Sequence, residues 1–135
     1  MKTILALSML LLLTSVTVVA QETAPTTLTG YVVDQHCGAT IATKADVMDK
    51  AAAHTKECAL MEDCVKSGYG IFSGGKYYKF DSTGSATAQA AIEKSKLSKG
   101  LFFIAVGKDV NGTFHLTSLT EANAPKKLEL LPKSK

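Results

Sequence analysis

Two stretches of this chain hold residue types that can do chemistry. The longer one is His54-Thr55-Lys56-Glu57-Cys58-Ala59-Leu60-Met61-Glu62-Asp63-Cys64, closed by Ser67-Gly68. The shorter one is Asp34-Gln35-His36-Cys37-Gly38. Between them they contain all three cysteines and two of the three histidines. Thiolate and imidazole are zinc ligands, and thiolate with thioether suits Cu(I). The same thiols can instead pair as a disulfide, or a low-pKa thiolate can act as a redox nucleophile.

Helical spacing orders these options. On one regular helix from about Thr55 to Lys66, His54, Cys58, Met61 and Cys64 share an arc of roughly 120°. Lys56, Glu57, Glu62 and Asp63 mark the other side. On such a helix Cys58 and Cys64 stand about 9 Å apart along the axis, whereas a disulfide needs Cα atoms within about 7 Å. Cys37 is then the expected partner, pairing with Cys58 or Cys64. Closing that loop would stabilise the fold by about 3 kcal/mol in the chain-entropy account. The metal reading uses Cys37, Cys58 and Cys64 with His54, or with His36 as the imidazole, as a zinc set. Adding Met61 makes it a softer set for copper. The redox reading rests on Cys58 in the first turn of its helix, with no C-x-x-C to supply a resolving thiol. His115, on the last strand, reads as a surface or hydrogen-bonded histidine rather than a ligand.

The elements that must position these residues are mostly strands. Residues 27–34 are rich in β-branched and aromatic side chains, and Gly30 marks a bend. A loop is expected over 34–40. Thr43 and Asp46 resemble the start of a helix reaching Ala53, with Val47, Met48 and Ala51 on its buried side. The cysteine helix follows and stops at Gly68. Strands are expected over 69–73 and 76–80, joined by Gly74-Gly75. A helix opens at Asp81-Ser82-Thr83-Gly84 and carries Ala88, Ala91 and Ile92 at helical spacing. Residues 101–107 and 113–119 form the last strands, joined by the hairpin signal Asn111-Gly112. Five strands, with a helix between the third and fourth, match the order of an OB-like, partly open barrel. The helical insert, residues 41–67, lies between strands one and two. Another small α+β sandwich is the alternative.

Composition narrows the classes further. The chain has 135 residues and a formal net charge of +3. Residues 1–20 read as a signal peptide: Lys2, an apolar run over 4–19, and Val18-Val19-Ala20 before Gln21. Residues 21–26 are a polar lead-in, 27–122 a single domain, and 123–135 a flexible, Lys-rich tail. No membrane span is expected after cleavage of the signal. These features predict an exported protein of the periplasm or exterior. Every basic residue is Lys, so the bidentate fork that reads phosphate or guanine is missing. Tyr31, Tyr77, Tyr78, Phe80 and Phe114 then read as core and barrel surface rather than a nucleic-acid stacking platform.

The arrangement resembles a group of small exported bacterial proteins of unknown function. The shared pattern is Val-Val-Asp-x-x-Cys, then a His-Cys-Ala-Cys-Gly series, a glycine turn with Lys-x-Tyr, and a closing Val-x-Gly strand. The matching residues are Val32, Val33, Asp34, Cys37, His54, Cys58, Ala59, Cys64, Gly68, Gly75, Lys76, Tyr78, Val106 and Gly107. Cys58 and Cys64 stand further apart than in that pattern. The resemblance implies an exported OB-like domain with a Cys/His cluster and supplies no activity. The sequence thus predicts a small binding module for zinc or copper, leaning away from an enzyme. The alternatives are a disulfide-stapled domain that meets an envelope protein through its helical insert, and a thiol redox protein.

Overall fold

A computed structural model describes residues 24–126. The segment read as a signal peptide, and the tail beyond Lys126, lie outside them. Five strands are present: β1 (Thr26–Asp34), β2 (Tyr69–Ser73), β3 (Lys76–Phe80), β4 (Phe102–Val110) and β5 (Thr113–Glu121). They hydrogen-bond in a closed ring, β1-β2-β3-β5-β4 and back to β1. All pairings are antiparallel except β3 with β5. Helix α5 (Ser82–Lys94) joins β3 to β4, capped by Asp81, whose carboxylate accepts from the Gly84 amide. No helix among the described residues is long and apolar enough to cross a membrane.

The ring closes because β1 serves two partners. Its residues 26–31 pair with β4, and its residues 31–34 pair with β2, so Tyr31 sits at the changeover. Gly30 makes the approach feasible, since a Cβ there would lie 1.7 Å from the Phe72 carbonyl oxygen. The hairpins turn as their residues demand: Gly74, Gly75, Asn111 and Gly112 all have positive φ. Inside the ring Leu28, Val32, Ile71, Leu101, Phe103, Ala105 and Phe114 pack together, with Ala88 and Ile92 of α5 joining them.

Between β1 and β2 lie four short helices: α1 (Gln35–Ile41), α2 (Val47–Ala53), α3 (Lys56–Ala59) and α4 (Glu62–Ser67). Three sequence expectations fail here. The expected loop over 34–40 is helical, because Asp34 caps α1 by accepting from the Cys37 amide. The next helix starts at Val47 rather than near Lys44, and Thr43 instead closes the turn after α1 by donating to the Thr40 carbonyl. The single helix expected over 55–66 is two, broken at Met61, whose ψ is 143°. The Tyr69 hydroxyl donates to the Ala59 carbonyl at 2.7 Å, taking the acceptor that an unbroken helix would offer to residue 63.

A second, smaller core glues this insert to the outside of the ring. Val33, Ala51 and Phe72 are buried there, with Val47, Met48, Ile41 and Tyr77 against them. We expect Gly30→Ala to destabilise the protein by about 3 kcal/mol, the upper end of overpacking costs, because the new methyl meets backbone rather than a movable side chain. A lower urea midpoint at unchanged slope would show it.

Candidate metal centre

The break at Met61 decides the geometry of the thiols. It folds α4 back on α3, so that Cys58 and Cys64 approach instead of standing along one helix. The sulfurs of Cys37, Cys58 and Cys64 all lie within 4.8 Å of one another. The inference that Cys58 and Cys64 cannot meet therefore fails with the helix that supported it. The Sγ atoms of Cys37 and Cys58 stand 3.8 Å apart, and all three thiols are free.

Each sulfur is placed by a separate device. Cys37 rides on α1 just after the Asp34 cap. Cys58 sits in α3, where its amide donates to the Thr55 hydroxyl at 3.1 Å. Cys64 is buried in α4, and α4 is tied to α1 through Ser67, whose hydroxyl accepts from the His36 amide and donates to the Cys64 carbonyl. The Tyr77 hydroxyl donates to the Val33 carbonyl, and its ring leaves no room for a Cβ at Gly38 of α1.

A second triplet shares one member with the first. Ligand atoms of Asp34, Cys37 and His54 also lie within 4.8 Å of one another. Asp34 is 0% exposed, and the His54 side chain is 7% exposed. His54 Nε2 stands 3.1 Å from Asp34 Oδ2, an ion-pair distance. The contact is close but poorly aligned as a hydrogen bond, and Asp34 Oδ2 and both imidazole nitrogens are left buried without a partner. Buried polar atoms are rarely left so, and three at one point mark a place built for something more. The donor set, three thiols with an imidazole and a carboxylate, is that of zinc and of other thiophilic ions.

Met61 and His36 are placed elsewhere. Met61 is 57% exposed in the bend between α3 and α4. His36 is exposed on α1, and neither joins a triplet. His115 lies 3.0 Å from the Asp81 carboxylate at the start of α5, a half-exposed ion pair far from any cysteine in the chain. Asp34 is the member of the site that sequence reasoning passed over. Its signal was present as the last residue of a strand three positions before a cysteine, the spacing of a helix cap.

The electrostatics of the site are set by Asp34. Burial pushes its carboxyl up, but the His54 side chain, the Cys37 amide and the Cys64 thiol together outweigh burial and hold it below the usual carboxylate range. Burial, followed by the Asp34 charge, raises the Cys37 thiol far above the ordinary range and pushes Cys64 up to about 11. Both are therefore protonated at neutral pH unless a cation is present. No protein-family model, curated protein or solved structure matches the chain.

A depressed carboxyl stabilises the fold above its unfolded pKa, about 3.9, and that contribution fades as pH falls through the lower, folded value. In chelator-treated protein we expect Asp34→Asn to cost about 2 kcal/mol at pH 7, from the loss of charge-assisted contacts. The urea midpoints of the two proteins should converge below pH 4; a constant gap down to pH 2 would refute the assignment.

Proposed function

We propose that this protein is a small exported binding module whose three cysteines and His54 hold one zinc ion on an OB-like domain. The observation that carries this reading is the sulfur trio. A tetrahedral ion with bonds of about 2.3 Å to sulfur spaces its sulfur ligands about 3.8 Å apart, and Cys37 and Cys58 stand at 3.8 Å. The unpartnered His54 nitrogens on the Cys37 side offer the fourth donor. Copper is the less favoured ion, because the thioether that would have softened the set, Met61, faces solvent. The ring order and the parallel β3–β5 closure support the OB-like description. The leader-like run over residues 1–20 supports export, and the resemblance to small exported bacterial proteins supports treating the cluster as one unit.

A structural disulfide is the competing reading, favoured by the same close approach of Cys37 and Cys58. It predicts a module stapled at the insert that meets an envelope protein there. A redox thiol at Cys58 is the third reading, and it is less favoured because it leaves the buried Asp34–His54 pair unexplained.

Native mass spectrometry of protein isolated without reductant and then supplied with zinc, together with thiol counting after denaturation, separates these readings. We expect one zinc per chain and three free thiols. A metal-free mass two hydrogens light, with one free thiol, would establish the disulfide instead. Cys37 belongs to both triplets, so Cys37→Ser should weaken zinc binding more than Cys58→Ser or Cys64→Ser. Equal losses by competition titration would contradict the shared role. Zinc uptake should release protons and weaken as pH falls, because the thiols must ionise to bind.

A further inference from the structure

We infer that Asp34 is a positioning residue for this centre: its carboxylate holds the Nε2–H of His54 and so presents Nδ1 as the metal-binding nitrogen. The inference rests on the zinc reading above and adds which atom of His54 binds and what selects it.

Three observations carry it. Asp34 has one oxygen already engaged, since Oδ1 accepts from the Cys37 amide at 2.8 Å. Oδ2 is the free one, and it lies 3.1 Å from His54 Nε2. The carboxylate is wholly buried at the end of β1 and has no solvent to turn toward. The two ring nitrogens, both buried and unpartnered, need partners of opposite kinds in a neutral imidazole: an acceptor for the protonated one and a proton donor or metal for the bare one. Oδ2 is an acceptor beside Nε2. That leaves Nδ1 bare, in a ring that has one nitrogen within 4.8 Å of the Cys37 sulfur.

The carboxylate is already committed, Oδ1 to the Cys37 amide and Oδ2 beside His54 Nε2, which leaves the imidazole as the free donor. Asp34 outside the coordination shell then fixes the tautomer, the usual division of labour when a carboxylate backs a metal-bound histidine. One side chain then aligns two ligands. Oδ1 sets the start of α1 and hence Cys37, while Oδ2 sets the ring of His54.

The backbone around His54 keeps the ring in reach. The His54 carbonyl accepts from the Gly100 amide, the Lys56 amide donates to the Ser98 carbonyl, and Thr55 bridges to Lys99. The Lys56 ammonium also donates to the Glu93 and Ser95 carbonyls at the end of α5. These bonds fix the chain without touching the imidazole, so ring orientation is left to Asp34.

Long-range proton–nitrogen NMR on reduced, 15N-labelled protein, with and without Zn²⁺, reads the result directly. We expect His54 to be protonated at Nε2 in both states and Nδ1 to take a metal-bound shift with zinc. Asp34→Asn keeps an acceptor for the Cys37 amide but turns an NH₂ toward the ring. It should bind zinc 10–100-fold more weakly by competition, with the Co²⁺-substituted absorption bands unmoved in energy. Metal at Nε2, displaced Co²⁺ bands, or zinc affinity within twofold of the natural protein would overturn the inference. Should Asp34→Asn fail to fold, the NMR result on the natural sequence decides alone. Zinc bound by three thiolates with both His54 nitrogens unshifted would defeat this inference and the choice of His54 as fourth ligand but leave the thiolate site standing, whereas no zinc uptake at all would defeat the metal reading with it.

Discussion

A wholly buried carboxylate at the end of the first strand is the constraint on which the insert depends. Removing an ionised carboxylate from water is expensive unless hydrogen bonds and opposite charge compensate. Asp34 meets that cost with the Cys37 amide at one oxygen and the His54 ring beside the other. The cap starts α1, α1 carries Cys37, and Ser67 ties α1 to the helix of Cys64. The same negative charge reaches further, opposing ionisation of Cys37, Cys64, Tyr69 and Tyr77, in each case second to burial. The two tyrosines thus remain hydroxyl donors, Tyr69 to the Ala59 carbonyl of the insert and Tyr77 to the Val33 carbonyl of β1.

The insert has no large core of its own, so the barrel must supply its rigidity. Helices of 4 to 7 residues are far below the length at which a helix is stable alone. They persist through specific bonds to the ring: Tyr69 to Ala59, and Gln35, whose amide donates to the Tyr69 and Phe80 carbonyls. Short helices pinned at many points can place thiols from three segments around one point. A single long helix could not, because its residues diverge along the axis by about 1.5 Å each.

Without a cation the centre is a conflict. Cys37 and Cys64 are held protonated by burial and the Asp34 charge, and the His54 ring nitrogens lack a well-aligned hydrogen-bond partner. A thiophilic divalent ion would resolve it, by stabilising the thiolates and giving the imidazole a partner. A disulfide between Cys37 and Cys58 would remove two thiols but leave the His54 nitrogens as they are, which is why the metal reading accounts for more of the site.

The residues by themselves determined the strands, their hairpins and the helix after the third strand. These follow from local preferences: β-branched runs, glycine pairs that accept positive φ, and a helix cap at Asp81. The grouping of cysteines and histidine as one unit was also legible, from their types and proximity in sequence. The arrangement inside that unit was not. Periodicity reads residues 55–66 as one helix, because nothing local forbids it; Met61 is neither Gly nor Pro. The Tyr69 hydroxyl, arriving from β2, takes the Ala59 carbonyl where the helix is interrupted. That break turns Met61 out to solvent, brings Cys58 to Cys64, and reverses the geometric argument drawn from the sequence. Asp34 was hidden for the same reason: a strand-end aspartate becomes the centre of a site only when His54, twenty residues later, is folded back onto its free oxygen. Contacts between distant segments decided both, and no local rule encodes them.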